Sequence, residues 1–205
     1  MKVIAVNIDN VLADTESALS AYLYDKFADV FDFDKFDNHE EGWQAFALEH
    51  PEKAMIAAEE LIEGGKLYNL AKPITKNIEE LNKWAWAGAV ISIVCARSNK
   101  HRLLTELWLA QNQVPYSNLL FNVDYINVDT LLASIDAQVY VDSEPGFVGL
   151  AAETLPSLSA YLLRTFWNDR MVPEFQEMLE ERGAEVTIVD YLDQIAEAEG
   201  IRTRG

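Results

Sequence analysis

Several residue types that mark familiar protein classes are scarce in this chain. Cysteine occurs once, as Cys95, so no intramolecular disulfide can form and a reducing compartment is the simplest setting. The three histidines, His39, His50 and His101, are scattered without ligand spacing, which argues against a zinc site. Positive charge is also thin: 16 Lys and Arg stand against 34 Asp and Glu, for a formal net charge of −18. A chain this acidic repels polyphosphates and anionic lipid surfaces over a Debye length, so neither nucleic acid nor membrane is an expected partner. No window approaches the length of a membrane span. The apolar opening MKVIAV is interrupted by Asp9, Asp14 and Glu16, too early for a signal peptide. The expected location is therefore cytoplasmic. Repeats and low-complexity tracts are absent too.

What is present is enough apolar material for a large core. Half of the 205 residues are hydrophobic, which suits one α/β domain or a core domain carrying an insertion. Short β-branched and aromatic runs alternate with helical patterns, the signature of a parallel sheet with crossover helices. The predicted strands are 2–8, 89–96, 118–123, 138–142, 160–165 and 186–190. Those at 89–96 and 138–142 are nearly continuous apolar runs, as expected of strands covered on both faces. The predicted helices are 15–28, 76–87, 101–112, 172–182 and 191–198, with Ser98 or Asn99 as the cap of the third. Trp84 and Trp86, on the second helix, read as packing residues.

One interval breaks the alternation. Between the first two sheet strands lie about eighty residues, far more than one crossover helix needs. Residues 38–65 are rich in helix formers and end in Gly64-Gly65, so residues 15–75 are expected to form a helical cap over the end of the first strand. The core domain would then comprise 1–14 and 76–205. At that strand end stands VNIDNVLAD, an apolar run closing in Asn7, Asp9 and Asn10, where one polar residue would suffice to terminate a strand. The bland alternative to a site is that Asn7 and Asp9 merely end the strand and cap the helix at 15–28.

The order NIDNVLAD, long insertion, ISIVCAR and VYVDSEP resembles the first, second and fourth motifs of the haloacid dehalogenase superfamily of phosphotransferases. Within it the resemblance is to the 5'(3')-deoxyribonucleotidase-like branch, whose first motif reads DVDGVLAD; ELWLAQN at 106–112 and LLRTFWN at 162–168 are similar to later segments of that branch. The resemblance implies a doubly wound, mostly parallel, Rossmann-like α/β sheet with a helical cap. It also implies an Asp nucleophile at phosphorus, an acid/base Asp two residues on, a hydroxyl and a Lys gripping phosphate, and Mg²⁺ held by acids after the fourth motif.

Carried over position by position, most of that machinery is altered. Asn7 stands at the nucleophile position, where a neutral carboxamide is a very poor nucleophile, though its oxygen is a conceivable weak metal ligand. Asp9 keeps the acid/base position, and its backbone carbonyl is an implied metal ligand. Asn10, suited to a left-handed turn, follows where a small residue is usual. Cys95 replaces the phosphate-gripping hydroxyl, and it also reads as a small buried hydrophobe. Arg97 is retained and is expected to meet an anion. The stretch 122–142, where the Lys belongs, holds neither Lys nor Arg. Asp142 remains as a metal ligand, Ser143 takes the second acid's place, and Glu144 is a possible substitute.

Losing nucleophile, hydroxyl and lysine together argues against phosphoaspartyl chemistry, because such groups act as a unit. An Asp-to-Asn trapping substitution would account for Asn7 alone. Three readings follow. The first is a pseudophosphatase that keeps a crevice for a small phosphate-containing ligand or a protein partner, with Mg²⁺ held weakly if at all. The second is an active Mg²⁺-dependent phosphomonoesterase acting on (deoxy)nucleoside monophosphates. The third is an acidic protein-binding module without a small-molecule site.

Overall fold

The computed structural model describes residues 2–36 and 39–201; Met1, Asp37, Asn38 and residues 202–205, which the expected domain ranges include, lie outside the described residues, as do the side chains of His39 and Glu40. The chain opens with β1 (Val3–Asn7) and a short β2 (Ala13–Asp14). Four helices follow: α1 (Thr15–Phe27), α2 (His39–Glu49), α3 (Pro51–Ala58) and, after a π-helical turn at Glu59–Glu63, α4 (Lys66–Leu70). The chain returns through β3 (Lys72–Pro73) into α5 (Thr75–Trp86), β4 (Val90–Val94), α6 (Arg102–Gln111), β5 (Asn118–Leu120), α7 (Val128–Ser134) and β6 (Val139–Asp142). It finishes with α8 (Pro145–Thr154), β7 (Ser159–Leu163), α9 (Val172–Arg182), β8 (Val186–Val189) and α10 (Leu192–Ala198).

All six predicted strands are present, trimmed at their ends, and they pair in parallel in the order β5-β4-β1-β6-β7-β8. Strand β1 is central. After it the chain builds outward through β4 and β5 on one side, then crosses and builds outward through β6, β7 and β8 on the other. The strand order therefore reverses at the carboxyl end of β1, where open α/β sheets place their crevices.

Alternation along the strands sorts their side chains onto two cores. Ile4, Val6, Ile91, Ile93, Val139 and Val141 pack with Ile78, Leu81, Trp84 and Trp108 on one face. Ala5, Tyr140, Ala160 and Leu162 pack with Val128, Val148, Ala151 and Phe175 on the other. Trp84 is fully buried and its indole donates to Glu80, whereas Trp86 is 91% exposed, so only the first of the two tryptophans packs. Helices α7 and α8 were not anticipated. In α8 Gly146 lies where an added Cβ would sit 2.5 Å from the Tyr125 ring, so close approach explains it.

The segment from α1 to α4 has a core of its own. Phe46 is completely buried, with ring centroids of Phe27, Phe31 and Phe33 at 4.8, 5.4 and 5.5 Å. Its base is the antiparallel ribbon of β2 and β3, where Ala13 faces Pro73 and Asp14 faces Lys72. The ribbon sets the chain's exit from β1 beside its return. Truncating a fully buried Phe typically costs about 3–5 kcal/mol, so Phe46→Ala should remove amide-exchange protection across 15–70 while β1, β4 and β6 stay protected. Equal loss in both regions would show that the segment has no separate core.

Candidate functional site

The site begins with the loop that leaves β1. Leu12 and Ala13 N–H groups both donate to the Ile8 carbonyl, at 2.9 and 2.8 Å, folding residues 8–13 back on themselves. Asn10 takes the left-handed backbone conformation (φ 56°), and its Oδ1 accepts from the Thr15 hydroxyl at 2.7 Å and the Glu16 N–H at 2.9 Å. Asp14 accepts from Ser17 N–H at 3.1 Å. The helix is thus capped by Asn10 and Asp14, not by Asn7 and Asp9 as the bland alternative has it.

Asn7 turns inward. Its Nδ2 donates to Asp142 Oδ1 at 2.7 Å, while its Oδ1 accepts from the backbone N–H of Ile8 at 2.7 Å and of Asp9 at 3.3 Å. The reverse orientation would set oxygen against carboxylate and NH₂ against two N–H donors, so the network fixes this one. Asp142 is almost wholly buried, and its Oδ1 also accepts from Glu144 N–H at 3.0 Å. Its Oδ2 takes a hydrogen bond from the Tyr140 hydroxyl, which period-two alternation puts on the same face two residues earlier. Burial drives the Asp142 carboxyl up to about 6, against these three donors, which pull it down. The Tyr140 phenol is held well above its ordinary range, first by burial and then by Asp142.

Asp9 points to the opposite side of the crevice. Arg97 grips it with Nε at 3.0 Å to Oδ2 and Nη2 at 2.6 Å to Oδ1, while Nη1 reaches the Thr105 hydroxyl at 3.3 Å. The guanidinium is buried and stacks 4.3 Å from the ring centroid of Tyr68, which belongs to α4. Burial first and Asp9 second raise the Tyr68 phenol to about 12. The Asp9 backbone carbonyl is covered by the Ser143 hydroxyl at 3.3 Å. Asn168, with no exposed surface, locks this second loop by donating to the Ser143 carbonyl at 2.7 Å.

Asn7, Asp9 and Asp142 therefore do meet at the reversal point of the sheet. Three other expectations are corrected. Arg97 was expected to meet an anion from outside, but its fork is filled by Asp9 and its face by Tyr68. Cys95 is not at a phosphate-gripping position but is the small buried hydrophobe of the other reading: it lies in the hydrophobic core with Sγ 3.5 Å from the Leu120 carbonyl, and burial pushes its thiol up to about 12. Glu144, a possible metal ligand, instead caps α8 through Gly146 N–H and accepts from the Tyr125 hydroxyl at 3.0 Å. Tyr68, Thr105 and Tyr140 were not foreseen as site residues; for Tyr140 the available signal was its spacing of two from Asp142.

Mg²⁺ requires a near-octahedral cage of oxygen acceptors. Here an N–H donor lies between Asn7 and Asp142, both Asp142 oxygens are engaged, the Asn7 oxygen faces backbone N–H groups and the Asp9 carbonyl is covered. The residues present do not fit the ion. Among the described residues no group of three or more His, Cys, Asp or Glu could hold a metal.

An Asp that holds its proton more tightly folded than unfolded stabilises the fold most in acid. The stability from Asp142 is fully present below its ordinary value of 3.8 and is lost as pH rises through about 6. The loss amounts to roughly 3 kcal/mol at most. Asp142→Asn can keep its oxygen on Asn7 and Glu144 and turn its NH₂ to Tyr140. Urea midpoints of the variant should match or exceed wild type at pH 7 and lose the slope between pH 4 and 7. A large destabilisation at pH 7 would contradict the role given to this carboxyl.

Solved structures supply the comparison. A haloacid dehalogenase (HAD) family hydrolase from Deinococcus radiodurans, crystallised with phosphate and sodium, matches at TM-score 0.66 with 13% identity, covering 100% of this chain and 99% of its own. L-2-haloacid dehalogenase from Xanthobacter autotrophicus, with chloropropionic acid covalently bound, matches at 0.59 and 13%, covering 98% of each chain. A protein from Thermotoga maritima named as a putative β-phosphoglucomutase matches at 0.57 and 15%, covering 98% of this chain and 99% of its own. No family model and no curated protein matches. Among the described residues no helix is long and apolar enough to cross a membrane. Sheet order, helical layers and these matches over nearly whole chains give the protein the α/β, Rossmann-type fold of the haloacid dehalogenase-family hydrolases.

Proposed function

We propose that the chain is a pseudophosphatase on the haloacid dehalogenase fold: a protein that has given up phosphoryl transfer and acts by binding a small ligand or a partner. Residues 15–75 serve as its helical cap and 1–14 with 76–205 as its core. The observation that carries this reading is the 2.7 Å hydrogen bond from Asn7 Nδ2 to buried Asp142. Where a phosphatase of this family would need a nucleophilic carboxylate and a metal, this chain has a neutral donor satisfying a carboxylate. Nothing then needs to enter for the crevice floor to be complete. Affinity with the deoxyribonucleotidase-like branch is supported by its similar segments having definite work here. The Trp108 indole donates to Ala71 at 2.9 Å, tying cap to core, and Asn168 holds the Ser143 loop.

In this account the chain's own residues explain the silence. Asn7 cannot attack phosphorus, Asp9 is clamped by Arg97, and no cation of 122–142 is available to neutralise a transferring phosphoryl group. With millimolar Mg²⁺, the protein should hydrolyse p-nitrophenyl phosphate or deoxynucleoside monophosphates no faster than buffer. Turnover that disappears in Asp9→Ala would overturn the proposal, whereas contaminating phosphatase would survive that substitution.

Reversion gives a second test. Asn7→Asp sets two carboxylates against each other and loses a charge-assisted hydrogen bond, so without metal it should be destabilised by roughly 1.5–3 kcal/mol. Calorimetry should show Mg²⁺ binding better than in wild type and restoring that stability. Activity should stay near background, since one missing preorganised donor alone typically costs ~10²–10³ in rate. Vigorous catalysis by this variant would mean that Cys95 and the Lys-free stretch are no handicap.

A further inference from the structure

Beyond the carboxyl ends of β7 and β8, on the far side of the Asp142 loop, a second cleft of about 550 Å³ opens between Arg164, Phe166, Asp169, Arg170, Asp190 and Tyr191. Phe166 is 74% exposed and Tyr191 51%, with Lys76 Nζ, itself paired with Asp193, over one face of the Tyr191 ring at 3.5 Å, so the Phe166 ring and the other face of Tyr191 are the aromatic surface left to this concave place. Arg164 Nε lies 3.6 Å from Asp169 and 3.5 Å from Asp190, and among the described residues its side chain makes no hydrogen bond. Its planar fork of donors and the two carboxylates therefore stand side by side with unspent capacity.

We propose that this cleft binds the base of a guanine nucleoside. Ring faces accept any planar heteroaromatic by stacking. The polar groups narrow the choice: an arginine fork suits the adjacent O6 and N7 acceptors of guanine, and a carboxylate suits its adjacent ring N–H and amino donors. The charges disfavour a phosphate on the ligand, because Arg164 is flanked by two acids and Arg170 is paired with Glu41 at 2.8 Å. The cleft wall is preorganised. Asn168 Oδ1 accepts from Thr165 N–H at 2.8 Å, and its Nδ2 donates to the Leu163 carbonyl at 2.9 Å and the Ser143 carbonyl at 2.7 Å. The same amide joins the cleft to the Asp142 loop, although the proposal stands whether or not the crevice there is catalytically silent.

Isothermal titration of the full chain with guanosine, adenosine, uridine and guanosine monophosphate tests this. Guanosine should bind saturably and more tightly than the other two nucleosides, and no more weakly than its monophosphate. Phe166→Ala should weaken guanosine by at least about fivefold through lost stacking. Arg164→Ala should erase the preference for guanosine over adenosine. Trp86→Ala, an exposed aromatic on α5, should change nothing. Both cleft side chains are exposed, and unchanged urea midpoints will verify that the variants fold. No saturable binding of guanosine, equal affinity in wild type and both cleft variants, or much tighter binding of the monophosphate would each overturn the assignment.

Discussion

The structure turns on one buried hydrogen bond, from the Asn7 carboxamide to the Asp142 carboxylate, at the end of the central strand. A lone carboxylate enclosed at that depth is costly, and a fold that carries one must neutralise it, protonate it or surround it with donors. This chain surrounds it. Asn7 supplies one donor, Tyr140 a second and the Glu144 N–H a third, and the carboxyl's affinity for a proton still remains raised. Around Asp9 the same pattern of internal satisfaction holds. Asp9 finds Arg97, Arg97 finds Thr105 and the face of Tyr68, and the Asp9 carbonyl finds Ser143.

That pattern also fixes how the helical segment sits on the sheet. Tyr68 reaches down from α4 to cover Arg97, and Trp108 reaches up from α6 to the Ala71 carbonyl. These are buried, directional contacts on either side of a two-stranded base. Each would leave an unsatisfied polar group or an uncovered charge if the segment swung away, at roughly 1–3 kcal/mol per group. The closed arrangement is held by the same residues that fill the crevice, so closure and self-satisfaction are one structural fact.

Much of this was legible in the sequence, and the limits have physical causes. Strands β1, β4 and β6 announce themselves because burial on both faces demands continuous apolar runs. Their parallel pairing follows from the helices between them. The meeting of Asn7, Asp9 and Asp142 follows from strand ends at a reversal of strand order. Helices α7 and α8 are less legible: α7 spans only seven residues, and α8 carries Gly146, which admits the ring of Tyr125, and Gly149 within its ten. Beyond the strands, side-chain direction was not legible. Arg97, Cys95 and Glu144 lie at the anticipated strand ends, but which way each points is decided by partners distant in sequence: Asp9, Leu120 and Tyr125. A motif specifies positions, while the polar balance of the whole crevice specifies orientations.

The claim that the crevice is complete without metal can be read at the Asn7 side chain itself. In ¹⁵N-labelled protein the Asn7 Nδ2 protons should exchange slowly with solvent, as befits donors locked onto a buried carboxylate. Addition of Mn²⁺, a paramagnetic analogue of Mg²⁺, should leave that resonance sharp while broadening only signals near exposed carboxylates. Selective broadening of the Asn7 Nδ2 signal at low Mn²⁺, reversed by excess Mg²⁺, would place a metal between Asn7 and Asp142 and contradict the account.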